Sequence, residues 1–243
     1  MKDRITAFSI HLSLSSVIAL LAIILVFQLW YPSPLHDLIG VDTIFYTIVI
    51  IDIIIGPVLT FVVFNREKPH LKLDLTIIAF IQISALVYGI WTVALGRPAW
   101  IVFNVDRFDL VQAQEIDSRQ REKSARAYKT APLFGPRWVS AEAPKNIDDY
   151  NTLTFESVFA GIDLPQRTDL YQPISNAHKK ISERAISLDN LAKYNSAQAV
   201  KDVLTRWPQA NAYLPLYFKT RSAVVLLNTE SDQIIGISGL SPW

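Results

Sequence analysis

The residues best placed to do chemistry in this sequence interrupt an apolar stretch that runs from Thr43 to Phe64. They are Asp52, Gly56 and Pro57. A carboxylate near the centre of a bilayer costs about 2.5–3.5 kcal/mol on insertion scales, so its face must contact protein rather than lipid. Residues four apart share a helix face, and Asp52 and Gly56 therefore mark a surface that we expect to pack on another helix.

Three roles are open for Asp52: fixing the packing of helices, binding a partner, or relaying protons. The next apolar segment carries Gln82, Tyr88 and Gly89. At about 1.5 Å of rise per residue, Asp52 falls between Gln82 and Tyr88 in depth when the two helices run antiparallel. We therefore expect Asp52 to be hydrogen-bonded to Tyr88 or Gln82, and its protonation is left open because an unpaired charge there would be expensive. Gly56 and Gly89 would allow close helix packing, including packing against a partner helix.

Other candidate chemistry is sparse. No phosphate-binding or nucleophile motif is present, and the chain has no cysteine. Asp106 and Asp109 flank Arg107, and a salt bridge involving Arg107, or a solvated strand edge, is the expected outcome. The sequence thus predicts no catalytic residue, no cofactor and no metal site, and it favours binding over catalysis. The histidines lie far apart, without the spacing of metal ligands: His11, His36, His70 and His178.

Composition places the 243-residue chain among membrane proteins. Hydrophobic residues make up 51% of it, which is high for a soluble domain of this size. The formal net charge is +1, so nothing indicates a nucleic-acid partner. Three apolar segments are each long enough to cross a bilayer, and they predict transmembrane helices at about residues 5–30, 43–64 and 75–95.

The positive charges near these segments predict their orientation. Lys2 and Arg4 precede the first segment, and the loop 65–72 between the second and third is basic, whereas the loop 31–42 has no lysine or arginine. By the positive-inside rule the amino terminus is cytoplasmic, and everything after Gly96 is extracytoplasmic. Asp42 and Asp74 are expected to cap the second and third helices.

The residues after Gly96 predict a second domain of the α+β class. The membrane domain would comprise 1–96 and the extracytoplasmic domain 97–243. Tyr150, Leu153, Val158 and Phe159 of one helix are available to its core, and Ser196 is a plausible N-cap. Whether the last three strands join the first in one sheet is left open. The predicted strands are 101–111, 138–140, 213–219, 223–228 and 233–238, and the predicted helices are 115–128, 147–160, 176–186 and 196–207.

Several short motifs resemble type IV pilin accessory proteins of the TfpX/TfpZ kind, to which FimB is related. The resemblance implies a protein of the Gram-negative inner membrane that helps a particular major pilin to be assembled into pili or kept there. It implies no enzymatic activity. The motifs are Tyr31-Pro-Ser-Pro34-Leu35, Asp52 with Gly56-Pro57, Gln82 to Gly89, Arg97-Pro98, Asp106-Arg107-Phe108 and Ala131 to Trp138.

The expected function is therefore that of a non-enzymatic accessory factor that binds or chaperones a cognate type IV major pilin and promotes pilus assembly. The assembly machinery of the inner membrane is a further expected partner. A membrane-anchored periplasmic sensor acting through another membrane protein is the alternative, and a membrane enzyme or small channel is less well supported. The candidate partner-binding or structural residues are Asp52, Gly56, Pro57, Gln82, Tyr88, Gly89 and Arg97.

Overall fold

The computed structural model describes all residues 1–243 and divides into two compact units. The first, here called the helical unit, comprises Met1–His36 and Gly40–Gly96. The second, here called the sheet domain, comprises Asp37–Ile39 and Arg97–Trp243. Each unit is described by itself.

Three long helices build the helical unit. Helix α1 (Lys2–Ile23) continues as a π-helix (Ile24–Trp30), and α3 (Val41–Val63) and α4 (Leu71–Leu95) follow. A short helix α2 (Leu35–Ile39) precedes α3. By length and composition, all three long helices could cross a membrane. The prediction of three long apolar helices followed by a domain of helices and strands is confirmed.

Both of the expected N-caps lie inside their helices instead. Helix α3 begins directly after Gly40, whose φ of 78° is left-handed, and Asp42 lies in the first turn and pairs with His36 Nδ1 at 3.1 Å. Helix α4 begins at Leu71 rather than near residue 75, so Asp74 is also in the first turn, where it pairs with Lys68. Both positions suit an aspartate, because a carboxylate in the first turn also stabilises the positive end of the helix dipole.

Helices α1 and α3 are antiparallel neighbours. Near one end of the pair the rings of Phe8 and Phe61 meet edge to face at 6.1 Å, and near the other Phe27 and Phe45 do so at 5.3 Å. Arg4 Nε donates to the carbonyl oxygen of Phe64 at 2.7 Å, which satisfies one of the free carbonyls at the end of α3. The start of α1 and the end of α3 therefore lie at the same end of the unit.

The sheet domain is built on one eight-stranded sheet of order β4-β3-β1-β2-β6-β7-β8, with β5 paired to β6. The last three strands do join the first, because β2 pairs in parallel with β6 and brings Phe108 opposite Leu216. The strands are β1 (Pro98–Asn104), β2 (Arg107–Gln112), β3 (Arg137–Ala141), β4 (Tyr171–Pro173), β5 (Ile186–Ser187), β6 (Ala212–Phe218), β7 (Arg221–Asn228) and β8 (Gln233–Ser238), and the helices are α5 (Ile147–Ala160), α6 (His178–Arg184) and α7 (Ala197–Arg206).

The first predicted strand, 101–111, is in fact a hairpin. The chain turns at Val105, whose φ of 61° lies in the left-handed region, so β1 and β2 pair with each other. Asp109 is buried on β2, and burial raises the pKa of its carboxyl above the usual value. Arg107 Nε donates to Asp109 Oδ1 at 3.1 Å, so of the two expected outcomes the salt bridge is the one that forms.

The predicted helix 115–128 is wrong. The chain forms only two short 3₁₀ turns there, Ala113–Glu115 and Arg121–Lys123. Asp117 explains the difference, because its Oδ1 accepts from the backbone N–H of Arg119 at 3.0 Å and from Arg119 Nε at 2.9 Å. Such local bonds from an aspartate compete with helical backbone bonding. Helix α5 forms over the predicted range, and Ser196 caps α7 through the N–H of Ala199.

A buried ion cluster attaches α5 to the rest of the sheet domain. The side chain of Arg167 is only 10% exposed, and it pairs with Asp169 at 2.9 Å and with Glu156 of α5 at 3.0 Å. Arg119 pairs with the same glutamate at 3.0 Å and with Asp117 at 2.9 Å. The hydrogen bond from Arg119 is the main cause that lowers the pKa of Asp117 below the usual value.

This pairing predicts an acid-dependent loss of stability in the sheet domain. A lowered carboxyl pKa contributes stability that is complete above the unfolded value of about 3.9 and is lost as the pH falls through the folded pKa. We expect Asp117→Asn to destabilise the domain by about 1–3 kcal/mol at pH 7, the worth of hydrogen bonds to charged groups. The deficit should shrink below pH ~4. Thermal unfolding of the full chain in detergent, followed by near-ultraviolet circular dichroism, measures it.

Glu122→Gln is the matched control, because Glu122 also pairs with an opposite charge, Lys129 at 2.9 Å, but its side chain is 92% exposed. That variant should unfold like the wild type at pH 7. A deficit of Asp117→Asn that stays constant from pH 7 to pH 3 would show that its carboxylate charge does not stabilise the domain.

Candidate functional site

The polar group that the sequence places inside α3 lies at the contact of α3 with α4. Gln82 Nε2 donates to the backbone carbonyl oxygen of Asp52 at 3.2 Å. The bond thus goes to the main chain and not to the carboxylate. Asp52 Oδ2 and Gln82 Oε1 are both buried and have no hydrogen-bond partner. The helical unit therefore holds two unsatisfied acceptor oxygens on neighbouring residues.

Tyr88 lies away from this group. Its side chain is 67% exposed and its ring is tilted against Trp91, with the centroids 6.1 Å apart. Tyr88 lies six residues after Gln82, so at about 100° per residue the two side chains point about 120° apart around the helix. Tyr88 and Asp52 are at similar depths along the two helices, but the direction in which Tyr88 points around α4 prevents a bond between them.

Both glycines of the predicted packing face are covered by side chains of the same chain. A Cβ at Gly56 would lie 1.8 Å from Gln82 Nε2, and a Cβ at Gly89 would lie 2.8 Å from Ile48 Cδ1. The absence of a side chain at these positions lets α3 and α4 approach closely. The geometry therefore favours a structural role for Gly56 and Gly89.

The next turn of α3 carries a second polar contact, this time with α1. Pro57 is buried and has no N–H, so the carbonyl four residues earlier loses its helical donor. One turn further, Thr60 Oγ1 and His11 Nδ1 are hydrogen-bonded at 2.6 Å. The spacing of the histidines does not indicate a functional role for His11. However, His11 lies four residues before Ser15, which places both polar side chains on one face of α1.

These polar side chains line a cleft of about 120 Å³ to which all three long helices contribute. Helices α1 and α4 both pack on α3, which lies between them. The polar members of the lining are His11 and Ser15 from α1, Asp52 from α3 and Gln82 from α4, and the other lining side chains are apolar. The sequence indicates the α3 and α4 members of this cleft but not the contribution of α1.

Arg97, the remaining candidate, fixes a loop of the sheet domain. Its Nε and Nη2 each donate to the carbonyl oxygen of Pro132 at 3.2 Å. Pro132 belongs to the loop that leads into β3, and β3 pairs with the strand β1 that follows Arg97. The structure therefore gives Arg97 a positioning role within this domain.

Helix α5 presents an apolar face that the sheet domain does not cover. Phe155, Val158 and Phe159 are 62%, 71% and 73% exposed, and Ile147 is 67% exposed. The rings of Phe155 and Phe159 lie together, with centroids 4.3 Å apart. Of the side chains that the sequence assigns to a core, only Leu153 is buried, because the Glu156 ion pairs turn the opposite face outward.

The sheet domain also contains an open cavity of about 520 Å³. Its lining mixes both signs of charge, including Glu142, Lys145, Glu183 and Arg184. Lys180 pairs with Glu142 at 2.7 Å across this lining, and that pairing lowers the pKa of Glu142. No single class of ligand is favoured by such a balanced surface.

The close fit of Gly56 against Gln82 predicts that the effect of Gly56→Ala on stability depends on whether residue 82 is glutamine or alanine. Gly56→Ala would displace the Gln82 amide from the Asp52 carbonyl, so we expect it to destabilise the helical unit by about 1 kcal/mol. In a Gln82→Ala background the same change should be neutral or stabilise by up to about 1 kcal/mol, since alanine is the better helix former. Thermal unfolding of the purified chain in detergent measures the coupling.

Val58→Ala serves as the matched control, because Val58 lies in the same helix and is 47% exposed. Its effect should add to that of Gln82→Ala within about 0.5 kcal/mol. Equal effects of Gly56→Ala on stability in both backgrounds would mean that the hydrogen bond of the Gln82 amide does not require a glycine at position 56.

Comparisons with known proteins agree on one family. The family model of the fimbrial assembly protein FimB matches residues 1–40. The chain is 33% identical over 205 residues to the fimbrial assembly protein of serogroup E1 of Dichelobacter nodosus, which covers 83% of this chain and 79% of the relative. It is 32% identical over 209 residues to the serogroup I protein of the same organism, covering 84% of this chain and 80% of the relative.

A third relative, the fimbrial assembly protein of serogroups C1 and C2, is 38% identical over 110 residues, or 44% of this chain and 83% of the relative. No solved structure matches significantly. The 205-residue match is longer than either unit, so the similarity includes parts of the three-helix unit and of the sheet domain. The chain belongs to the family of fimbrial assembly proteins of the FimB type.

Proposed function

We propose that this chain is a non-enzymatic accessory factor that binds a cognate fimbrial subunit, the major pilin, in the inner membrane and promotes its assembly into pili. The observation that carries the proposal is the 205-residue match to a fimbrial assembly protein, which extends through both units. The family supports a role in assembly. Binding of the subunit is the step that the exposed surfaces of this chain support.

Membrane insertion is supported by the outer faces of the three long helices. Large apolar side chains on them are strongly exposed, among them Ile10, Ile54 and Phe80 at 65%, 54% and 70%. In water such a surface would drive aggregation, whereas in lipid it is at its lowest free energy. The helical unit is therefore proposed to span the inner membrane three times.

The orientation follows from the charges at one end of the helical unit. Arg66 pairs with Asp3 at 3.0 Å, and Arg4 bonds the carbonyl of Phe64, so the basic residues of the amino terminus and of the 65–72 loop lie together. The positive-inside rule assigns this end to the cytoplasm. Helix α4 then ends on the other side, and the sheet domain that follows it is proposed to be periplasmic.

The apolar face of α5 is the surface of the sheet domain that we assign to the fimbrial subunit. Exposed apolar patches of this kind mark interaction sites in soluble domains. Asp148 and Asp149 begin the same helix, so an anionic lipid surface would repel this face. A protein surface is therefore the better-matched occupant for Phe155, Val158 and Phe159.

A ligand-binding sensor is the second candidate, and the cavity of about 520 Å³ is the observation that favours it. Its balanced charges select no class of ligand. A sensor would also change pilin synthesis or another output rather than the assembly of pilin already made, and one experiment separates these effects.

The test is the ratio of surface pili to total cellular pilin in cells that lack this chain. We expect a severalfold lower ratio with unchanged pilin synthesis. Replacement by a variant with both Phe155→Ser and Phe159→Ser should reproduce the loss, because polar side chains remove the apolar contact without touching the buried Leu153. Immunoblots of sheared and cell-bound pilin, together with the level of this chain in membranes, measure the outcome.

Tyr194→Ser is the matched control, since Tyr194 is 53% exposed in the same domain but lies outside α5. It should leave the ratio unchanged. A deletion strain with the normal ratio under piliating conditions would refute the proposed function, and a changed rate of pilin synthesis would point to the sensor.

A further inference from the structure

We propose that the cleft between α1 and α4 receives a membrane-embedded helix of the fimbrial subunit, and that one side chain of this helix donates hydrogen bonds to Asp52 and Gln82. The inference rests on the proposed function and names the chemistry of its membrane contact. The partner helix is apolar along its length and carries one hydrogen-bond donor at the depth of Asp52.

The shape of the cleft fits a side chain of a neighbouring helix. Its walls are apolar, with Leu14 and Ile18 on α1 and Ile83 on α4, and α3 forms its floor. The volume of about 120 Å³ is far larger than the roughly 10–15 Å³ that a cavity needs to hold a single water. The cleft can therefore hold one large side chain that projects from a helix lying along it.

The unpaired atoms define the chemistry of that side chain. Asp52 Oδ2 and Gln82 Oε1 are both acceptors, and both are buried without a partner. One of the two N–H groups of the Gln82 amide is used, because Nε2 donates to the Asp52 carbonyl. No water is available in the hydrocarbon region to replace the missing bonds. An occupant that brings a hydroxyl, amide or ammonium donor would satisfy oxygens that otherwise remain unpaired.

Two other occupants fit these atoms less well. Lipid acyl chains fill apolar space but carry no hydrogen-bond donor, so they leave both oxygens unpaired. A second copy of this chain, joined by a two-fold axis through the cleft, would present the same residues to each other. The two Asp52 carboxyls would then lie against each other, where the repulsion of like charges prevents both from ionising. A different helix with a donor is thus the occupant that the cleft selects.

The experiment places a photo-crosslinking amino acid at Ile83, in cells that make the fimbrial subunit and the full chain. We expect a covalent adduct of this chain with the subunit, identified by mass spectrometry. Ile81 is the matched control position, because it is 60% exposed, against 61% for Ile83, but points about 160° away from Ile83 around the same helix and does not line the cleft. Its subunit adduct should be at least severalfold weaker.

Three outcomes would overturn the inference: adducts only with lipid at Ile83, adducts only with a second copy of this chain, or equal capture of the subunit at Ile83 and Ile81. The deletion strain separates this test from that of the proposed function. If deletion reduces surface pili but the crosslinker at Ile83 captures no subunit, the proposed function is supported and docking of the subunit helix in the cleft is refuted.

Substitution of Asp52 tests the donor bond itself. With the crosslinker at Ile83, Asp52→Leu should lower the subunit adduct severalfold, whereas Asp52→Asn keeps an acceptor oxygen of the same reach and should lower it less. Membrane levels of each variant are measured alongside. Full capture by Asp52→Leu would refute the bond. If the leucine variant does not accumulate, the comparison of Asp52→Asn with the unsubstituted chain decides: loss of capture in the asparagine variant refutes acceptance of a donor by this residue.

Discussion

The hydrogen bond from the Gln82 amide to the backbone of Asp52 is the contact on which the helical unit depends. It forms only because Gly56 has no side chain, since a Cβ there would lie 1.8 Å from Gln82 Nε2. The missing side chains at Gly56 and at Gly89 thus allow the close approach of α3 and α4. The absence of a side chain at Gly56 also directs the amide to the main chain, which leaves the neighbouring acceptor oxygens unpaired.

In the sheet domain, ion pairs rather than an amide hydrogen bond orient a helix. Arg119 and Arg167 converge on Glu156, and this fixes which face of α5 turns outward. The result is a helix that buries Leu153 and exposes Phe155 and Phe159. In both units a buried polar contact therefore orients an element and leaves a surface on that element without a partner.

The coarse architecture can be predicted from the sequence, whereas the fine contacts cannot. Long apolar runs identify helices because crossing a bilayer demands length and hydropathy alone, and α5 follows from its caps and periodicity. The sequence predicts one strand over 101–111 rather than a hairpin, because Val105 is β-branched and gives no signal of the turn that its positive φ makes. The local bonds of Asp117 removed a helix that composition favours. Depth along the membrane suggested Tyr88 beside Asp52, but only the helix phase decides which side chains meet.

The π-helix at the end of α1 has a consequence for how α1 can vary. A π-helical turn holds an additional residue compared with an α-helical one, so Ile24–Trp30 resets the angular phase between the two ends of the first long helix. Phe27, within it, stacks on Tyr46, while His11, well before it, bonds Thr60. Deleting one residue from this segment would rotate everything before it by about 100° relative to α3 and would carry His11 off its partner. Chains of this family in which that segment is shorter by one residue should therefore have the polar residue of α1 displaced along the sequence as well.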